Sequence, residues 1–180
     1  MKKKNKIIIA LIAIAVIMFC TICFFIIPNM ERNQAIYNSN QQDALTHDIT
    51  AIEDYRTRYL GNAANVSGLF EQLPLSNVEK KYQIDSEKCS LTISYLDTVW
   101  NIGEQKVYQD LLYNAIAAMA SIDNLSLITY AFPEYSFSFT RAEMEEVFDN
   151  DLSSLLDEKI WKEKVQDRIA DKDFLEQFYE

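Results

Sequence analysis

Residues Ile7 to Ile27 form 21 consecutive positions without a charge, closed by Pro28. At ~1.5 Å per residue a helix over that run is about 31 Å long, close to the roughly 30 Å of hydrocarbon in a bilayer. Lys2, Lys3, Lys4 and Lys6 precede the run, while Glu31 and Arg32 follow it. The positive-inside bias therefore predicts a cytoplasmic N terminus and an extracytoplasmic body. Two other fates compete with a retained anchor. A cleaved signal peptide needs small residues before the cut and a shorter apolar stretch, whereas this one runs into Pro28-Asn29-Met30-Glu31. A lipoprotein signal needs a small residue before its cysteine, whereas Phe19 precedes Cys20 and Ile22 precedes Cys23. The expectation is a single-pass signal anchor in the cell membrane that meets the lipid bilayer through Ile7 to Ile27.

Charge divides the chain at the same place. All 27 Asp and Glu residues lie after Pro28 with only 13 of the 17 Lys and Arg, which leaves residues 28–180 a net charge of −14. Such a body repels phosphate backbones, so nucleic acid is not an expected partner. Cys20 and Cys23 fall in the apolar run and Cys89 is the body's one thiol, so no disulfide can close within the body. The segment layout is 1–6 as a cytoplasmic basic segment, 7–27 as the transmembrane anchor, 28–42 as an Asn- and Gln-rich tether, and 43–180 as one extracytoplasmic domain.

Periodicity gives the domain its elements. Leu45, Ile49, Ile52, Tyr55 and Tyr59 recur at helical spacing, which predicts a first amphipathic helix ended at Gly61-Asn62. Val66, Leu69, Phe70 and Leu73 predict a second, with Asn65 as its N-cap and Pro74 after it. Alternation at Tyr82 and Ile84, then at Leu91, Ile93 and Tyr95, predicts a hairpin with one wet face. A stripe of Val107, Leu111, Ala115, Met119 and Ile122 predicts a helix over 104–122, with Gln105, Gln109 and Asn114 toward water. Leu125 to Phe132 and the alternating Tyr135 to Thr140 make a second strand pair. Thr140 and Glu143 are spaced as a capping box for a helix from Arg141. Leu152, Leu155, Leu156, Ile160, Trp161, Val165 and Ile169 predict a last helical stretch over 151–180. The fold class is α+β: an N-terminal transmembrane helix, then a two-layer domain with a four-stranded antiparallel sheet and helices on one face.

Residue types that carry chemistry are scarce. His47 is the chain's single histidine, and with one Cys in the body neither a zinc site nor a Ser-His-Asp or Cys-His arrangement can be assembled. His47 reads as a surface residue. Asp149-Asn150-Asp151 opens like a calcium loop, but Ser154 and Ile160 occupy the positions that need Gly and Glu, so a helix cap is the better reading. The Asn65 and Asn124 glycosylation tripeptides carry no weight, and with Gly61, Gly68 and Gly103 as the only glycines there is no phosphate loop. No catalytic, cofactor-binding or metal residue is assigned, and no cofactor is expected. Tyr130, Phe132, Tyr135, Phe137 and Phe139 cluster in the second strand pair, as sheet core or as a ligand or partner groove.

Tyr59-Leu60-Gly61-Asn62-Ala63-Ala64-Asn65-Val66, Leu73-Pro74-Leu75, Leu91-Thr92-Ile93-Ser94-Tyr95, Asn114-Ala115, Ser121-Ile122-Asp123-Asn124 and Phe137-Ser138-Phe139-Thr140-Arg141 stand in that order. In order and spacing they resemble domain of unknown function 4825, an extracytoplasmic domain of Gram-positive bacteria, over roughly residues 50–149. The family's domain also occurs attached to membrane zinc peptidases of the beta-lactam-sensor type, so the resemblance implies sensing or modulation at the cell envelope. No His-Glu-x-x-His is present and a single membrane span is expected, so no peptidase activity carries over; Cys89-Ser90 stands where the family often has a glycine before its second strand, so a different turn is expected there. The expected function is a non-enzymatic binding or sensory module of the envelope with a protein partner. The alternatives are a hydrolase using only carboxylates, marked by an acid of raised pKa in a cleft, and a structural subunit whose last helix docks Trp161, Val165 and Ile169 on a partner.

Overall fold

A computed structural model describes residues 3–148 and 151–179. The chain forms two compact units, 1–39 and 40–180. In the first, helix α1 (Lys3–Thr21) passes through a π turn (Ile22–Ile26) into α2 (Ile27–Asn40). The π turn sits where Pro28 requires it: a proline ring collides with the carbonyl four residues back and removes a donor, and a widened turn relieves both. Leu11, Ile12, Ile17, Phe19, Phe24 and Phe25 are all exposed. The helix from Leu11 to Asn40 is long and apolar enough to cross a membrane. The stretch read as a tether is helical as far as Asn40. Extending an existing helix needs no new nucleus, and Gln34 donates to Asn38 at 2.9 Å one turn on.

In the second unit the expected first helix is a 3-10 helix of seven residues, Ile49–Tyr55, capped by Asp48. The chain then straightens, and Thr57 exchanges backbone hydrogen bonds with Ser121 and Asp123 at 2.8 and 3.1 Å. That bridge to the far end of the domain overrides the local apolar spacing. Helix α3 (Ala63–Gln72) follows, with Asn62 rather than Asn65 as its N-cap.

Strands β1 (Lys80–Asp85), β2 (Ser90–Tyr95), β3 (Leu127–Ala131) and β4 (Ser136–Thr140) lie in sequence order in one sheet. β1/β2 and β3/β4 are antiparallel, as the short connections 86–89 and 132–135 require. β2/β3 is parallel, so the sheet is mixed and not wholly antiparallel. The cause is the connection. One-turn helix α4 (Val99–Ile102) and the 18-residue α5 (Glu104–Ser121) carry the chain back along the sheet, so that β3 starts level with the start of β2.

α5 is more deeply placed than a single stripe suggests, because every residue from Asp110 to Ile122 is buried. On one side Tyr108 meets Phe137 of β4 edge to face, 5.5 Å between centroids. On the other lie Ile49–Tyr55, a 3-10 helix at Leu152–Leu156 and helix α8 (Asp167–Ile169). The helices thus form two tiers on one face of the sheet, and Asn114, expected in water, is fully buried with its amide donating to Pro74 O at 2.8 Å.

α6 (Arg141–Val147) begins with the capping box of Thr140 and Glu143. The last stretch is segmented into Leu152–Leu156, α7 (Glu158–Trp161), a π turn (Lys162–Gln166), α8 and α9 (Lys172–Glu176). Asp151, Asp157 and Asp171 each restart it as caps. Of the calcium-like tripeptide, Asp149 and Asn150 lie outside the described residues. Trp161, Val165 and Ile169 are buried in the domain's own core, not held out for a partner.

Candidate functional site

The histidine is not at the surface. His47 is 3% exposed, with Nδ1 2.7 Å from the Tyr113 hydroxyl and Nε2 2.8 Å from Gln72 O. A carbonyl can only accept, which assigns the hydrogen to Nε2 and makes Tyr113 the donor to Nδ1. Trp161 meets Tyr113 edge to face at 5.1 Å, and Gln166 donates to Ala44 O and His47 O at 2.9 Å each. Burial lowers the His47 pKa, against the opposing pull of the Gln72 carbonyl and Asp48. A cleft of about 680 Å³ lies over this cluster, but both ring nitrogens are committed, so His47 is a bolt between the 41–48 turns, α3 and α5. The surface reading fails because it assumed a continuous helix; the turns swing residue 47 inward.

A second buried polar cluster holds the same turns from the other side. Asp110 is 1% exposed; its Oδ1 accepts from Ala44 N–H at 2.9 Å and its Oδ2 is 2.6 Å from Lys106 Nζ, which also donates to Gln42 O. Burial pushes the Asp110 carboxyl up to about 6, with the Lys106 ammonium and the Ala44 N–H pulling the other way. This is the raised acid that carboxylate chemistry calls for. Its two oxygens are occupied, and a substrate would have to displace the 42–44 turn to reach either. Among the described residues no group of three His, Cys, Asp or Glu side chains could hold a metal ion.

Lys106 also lines an open cleft of about 520 Å³ with Gln42, Leu75, Val78, Glu79, Leu96, Asp97 and Ile102. Of the cleft's lining residues Leu96 is 50% exposed, and two further large apolar side chains, Trp100 and Tyr135, are 61% and 46% exposed. Trp100 sits on α4, whose single turn is fixed from both ends. Thr98 caps it by accepting from Asn101 N–H, and Gly103, at φ 106°, makes the break into α5 that a side chain would strain. Asp97 accepts from the Asn101 amide and from Thr98 N–H, at 2.8 Å each, which hold its carboxyl below the ordinary range. Trp100 and Tyr135 meet edge to face at 5.6 Å, and Tyr135 leans on Phe137, which packs on Tyr108 and Tyr179. The exposed pair is thus mounted on a rigid aromatic base.

The aromatic cluster of the second strand pair divides accordingly. Tyr130, Phe132 and Phe139 are core, Phe137 is half-buried, and Tyr135 belongs to the surface patch. The sequence pattern assigns Trp100 no role; its one sequence signal is its place between Thr98 and Gly103, a capping threonine and a glycine.

Residues 52–140 match the family model of a domain of unknown function, DUF4825. No curated protein and no solved structure matches the chain. The matched stretch runs from the first 3-10 helix to the end of β4 and includes Leu96, Trp100 and Tyr135. The structure gives the DUF4825-like motifs structural work. Asn62 caps α3, Asn65 donates to Tyr55 O at 2.7 Å, and Asn124 accepts from Leu60 N–H at 2.7 Å. Asn114 ties α5 to the Leu73-Pro74-Leu75 corner. Arg141 donates to the carbonyls of Met119, Ile122 and Leu125, at 2.7, 2.8 and 2.9 Å, and so closes the C-terminal end of α5. The resemblance therefore rests on the clasps of the fold, and the candidate binding surface lies outside them.

Proposed function

We propose that this protein is a membrane-anchored binding module of the cell envelope that holds its DUF4825 domain outside the membrane and engages a protein partner through Leu96, Trp100 and Tyr135. One observation carries the reading: a tryptophan 61% exposed, paired with a half-exposed tyrosine on a braced base, in a domain whose other tryptophan is buried. Exposing such a ring is unfavourable unless a partner covers it, and Trp and Tyr are the side chains that dominate protein interfaces. The apolar helix supports the anchored placement, and the four lysines before it support the outward orientation of the domain. The module acts by association and not by catalysis. In this reading the 520 Å³ cleft beside Leu96 receives a side chain of the partner.

The test is the size of the complex extracted from membranes in mild detergent. The Trp100→Ala, Tyr135→Ser double variant is expected to keep its unfolding midpoint within a few degrees while running as the isolated protein. A variant that still runs with the full complex overturns the assignment of this surface.

A further inference from the structure

The sheet has two edges, and the sequence treats them differently. β1 carries Lys80 and Lys81; Lys81 is exposed and the Lys80 ammonium donates to the carbonyls of Leu75, Ser76 and Val78. Charge along an edge discourages another strand from pairing there. β4, Ser136–Thr140, has no charge, no proline and no guard of this kind.

Its register shows what it offers. Phe132 N–H donates to Tyr135 O at 2.7 Å and Arg141 N–H to Ser126 O at 2.9 Å. In an antiparallel ladder bonded and non-bonded pairs alternate, so between those ends Phe137 and Phe139 bond to Tyr130 and Ile128. The N–H and C=O groups of Ser136 and Ser138 then point away from β3, and both residues are exposed. Thr140 N–H is taken by Glu143 Oε2 at 2.9 Å, which closes the end of the open stretch. Beside Ser138 runs a groove of about 270 Å³ lined by Phe139, Glu143, Glu146, Val147 and Phe178, with two carboxylates and no cation.

We propose that β4 is a strand-addition site for an extended basic peptide of a partner protein. The peptide backbone pairs with Ser136 and Ser138, and a Lys or Arg side chain lies along the groove toward Glu146. Main-chain pairing supplies the affinity and the acidic groove in a body of net charge −14 selects the sign of the side chains. The site stands on the β4 register and does not require the Trp100 surface.

The experiment uses the full chain in detergent micelles and an acetylated, amidated heptapeptide of alternating lysine and valine. Saturable binding is expected, with amide exchange at Ser136 and Ser138 slowed at least about tenfold, the scale of one hydrogen bond. Ser138→Pro removes an outward N–H that β3 does not use, and is expected to weaken binding by about tenfold or more. The same peptide N-methylated at every residue, which leaves no donor on either edge, and an alternating glutamate and valine peptide, are expected not to bind. The N-methylated peptide leaves the protein untouched and decides the matter if Ser138→Pro misfolds. Trp100→Ala is expected to leave the peptide affinity unchanged. No binding, equal binding of the N-methylated peptide, unprotected Ser136 and Ser138 amides, or loss of binding in Trp100→Ala each overturns the proposal.

Discussion

Replacing Asp110 with asparagine is predicted to change the pH dependence of stability in a specified direction. In the folded domain the carboxyl titrates at about 6 against 3.8 when free, and the group is 1% exposed, so solvent screens little of the difference. Between those values the folded state holds a proton that the unfolded chain has released. Stability from this group is therefore fully present below pH 3.8 and is lost as pH rises through 6. A shift of about two units at ~1.36 kcal/mol each makes that loss about 3 kcal/mol. Asp110→Asn keeps an oxygen for Ala44 N–H and has no proton to lose. Denaturant unfolding of both proteins across pH 4 to 7.5 in detergent measures the difference, and the fluorescence of Trp100 and Trp161 reports the domain alone, since the chain has no other tryptophan. The wild type is predicted to lose about 2–3 kcal/mol relative to Asp110→Asn over that range. His47 titrates in both and cancels. A difference that stays flat, or that favours the wild type more as pH rises, would falsify the reasoning, because the Lys106 pair would then outweigh burial.

Tyr113→Phe leaves the His47 Nδ1 acceptor buried without its donor and is predicted to cost about 1–3 kcal/mol in denaturant unfolding at pH 7.5. His47 itself has the opposite pH sign to Asp110: its lowered folded pKa makes stability fall as pH drops below 6.5, and His47→Gln is predicted to remove that fall. Arg141→Ala deletes three charge-assisted bonds to the end of α5 and is predicted to destabilise by about 2–3 kcal/mol, with Arg141→Lys recovering only part because an ammonium cannot span the same three carbonyls. Protease added to intact cells is predicted to degrade the domain and leave an anchor fragment ending near Asn40; protection of the domain would contradict the outward orientation.

Alternation and capping read through to the structure because they are local. The Tyr135–Thr140 strand, the Thr140/Glu143 box and the 104–121 helix need only neighbours in sequence, and all three are present. What was not readable depends on pairings distant in sequence. The parallel β2/β3 ladder follows from how far α5 carries the chain. The loss of the first α-helix follows from Thr57 bonding to Ser121 and Asp123, more than 60 residues on. His47 and Asn114 look polar and therefore exposed, yet each finds its partner in another element, Tyr113 and Pro74. Trp100 was invisible for the converse reason: an apolar residue is assigned to the core by default, and only the fold shows that α4 turns it outward.

The most direct measurement of the central claim is site-specific photocrosslinking in intact cells, with a photoreactive amino acid at position 100 and, as control, at position 83 on the exposed face of β1. The account predicts a discrete adduct of one added protein from position 100, none from position 83, and loss of the position-100 adduct when Tyr135 is replaced by Ser. No adduct from position 100, or the same adduct from both positions, contradicts it.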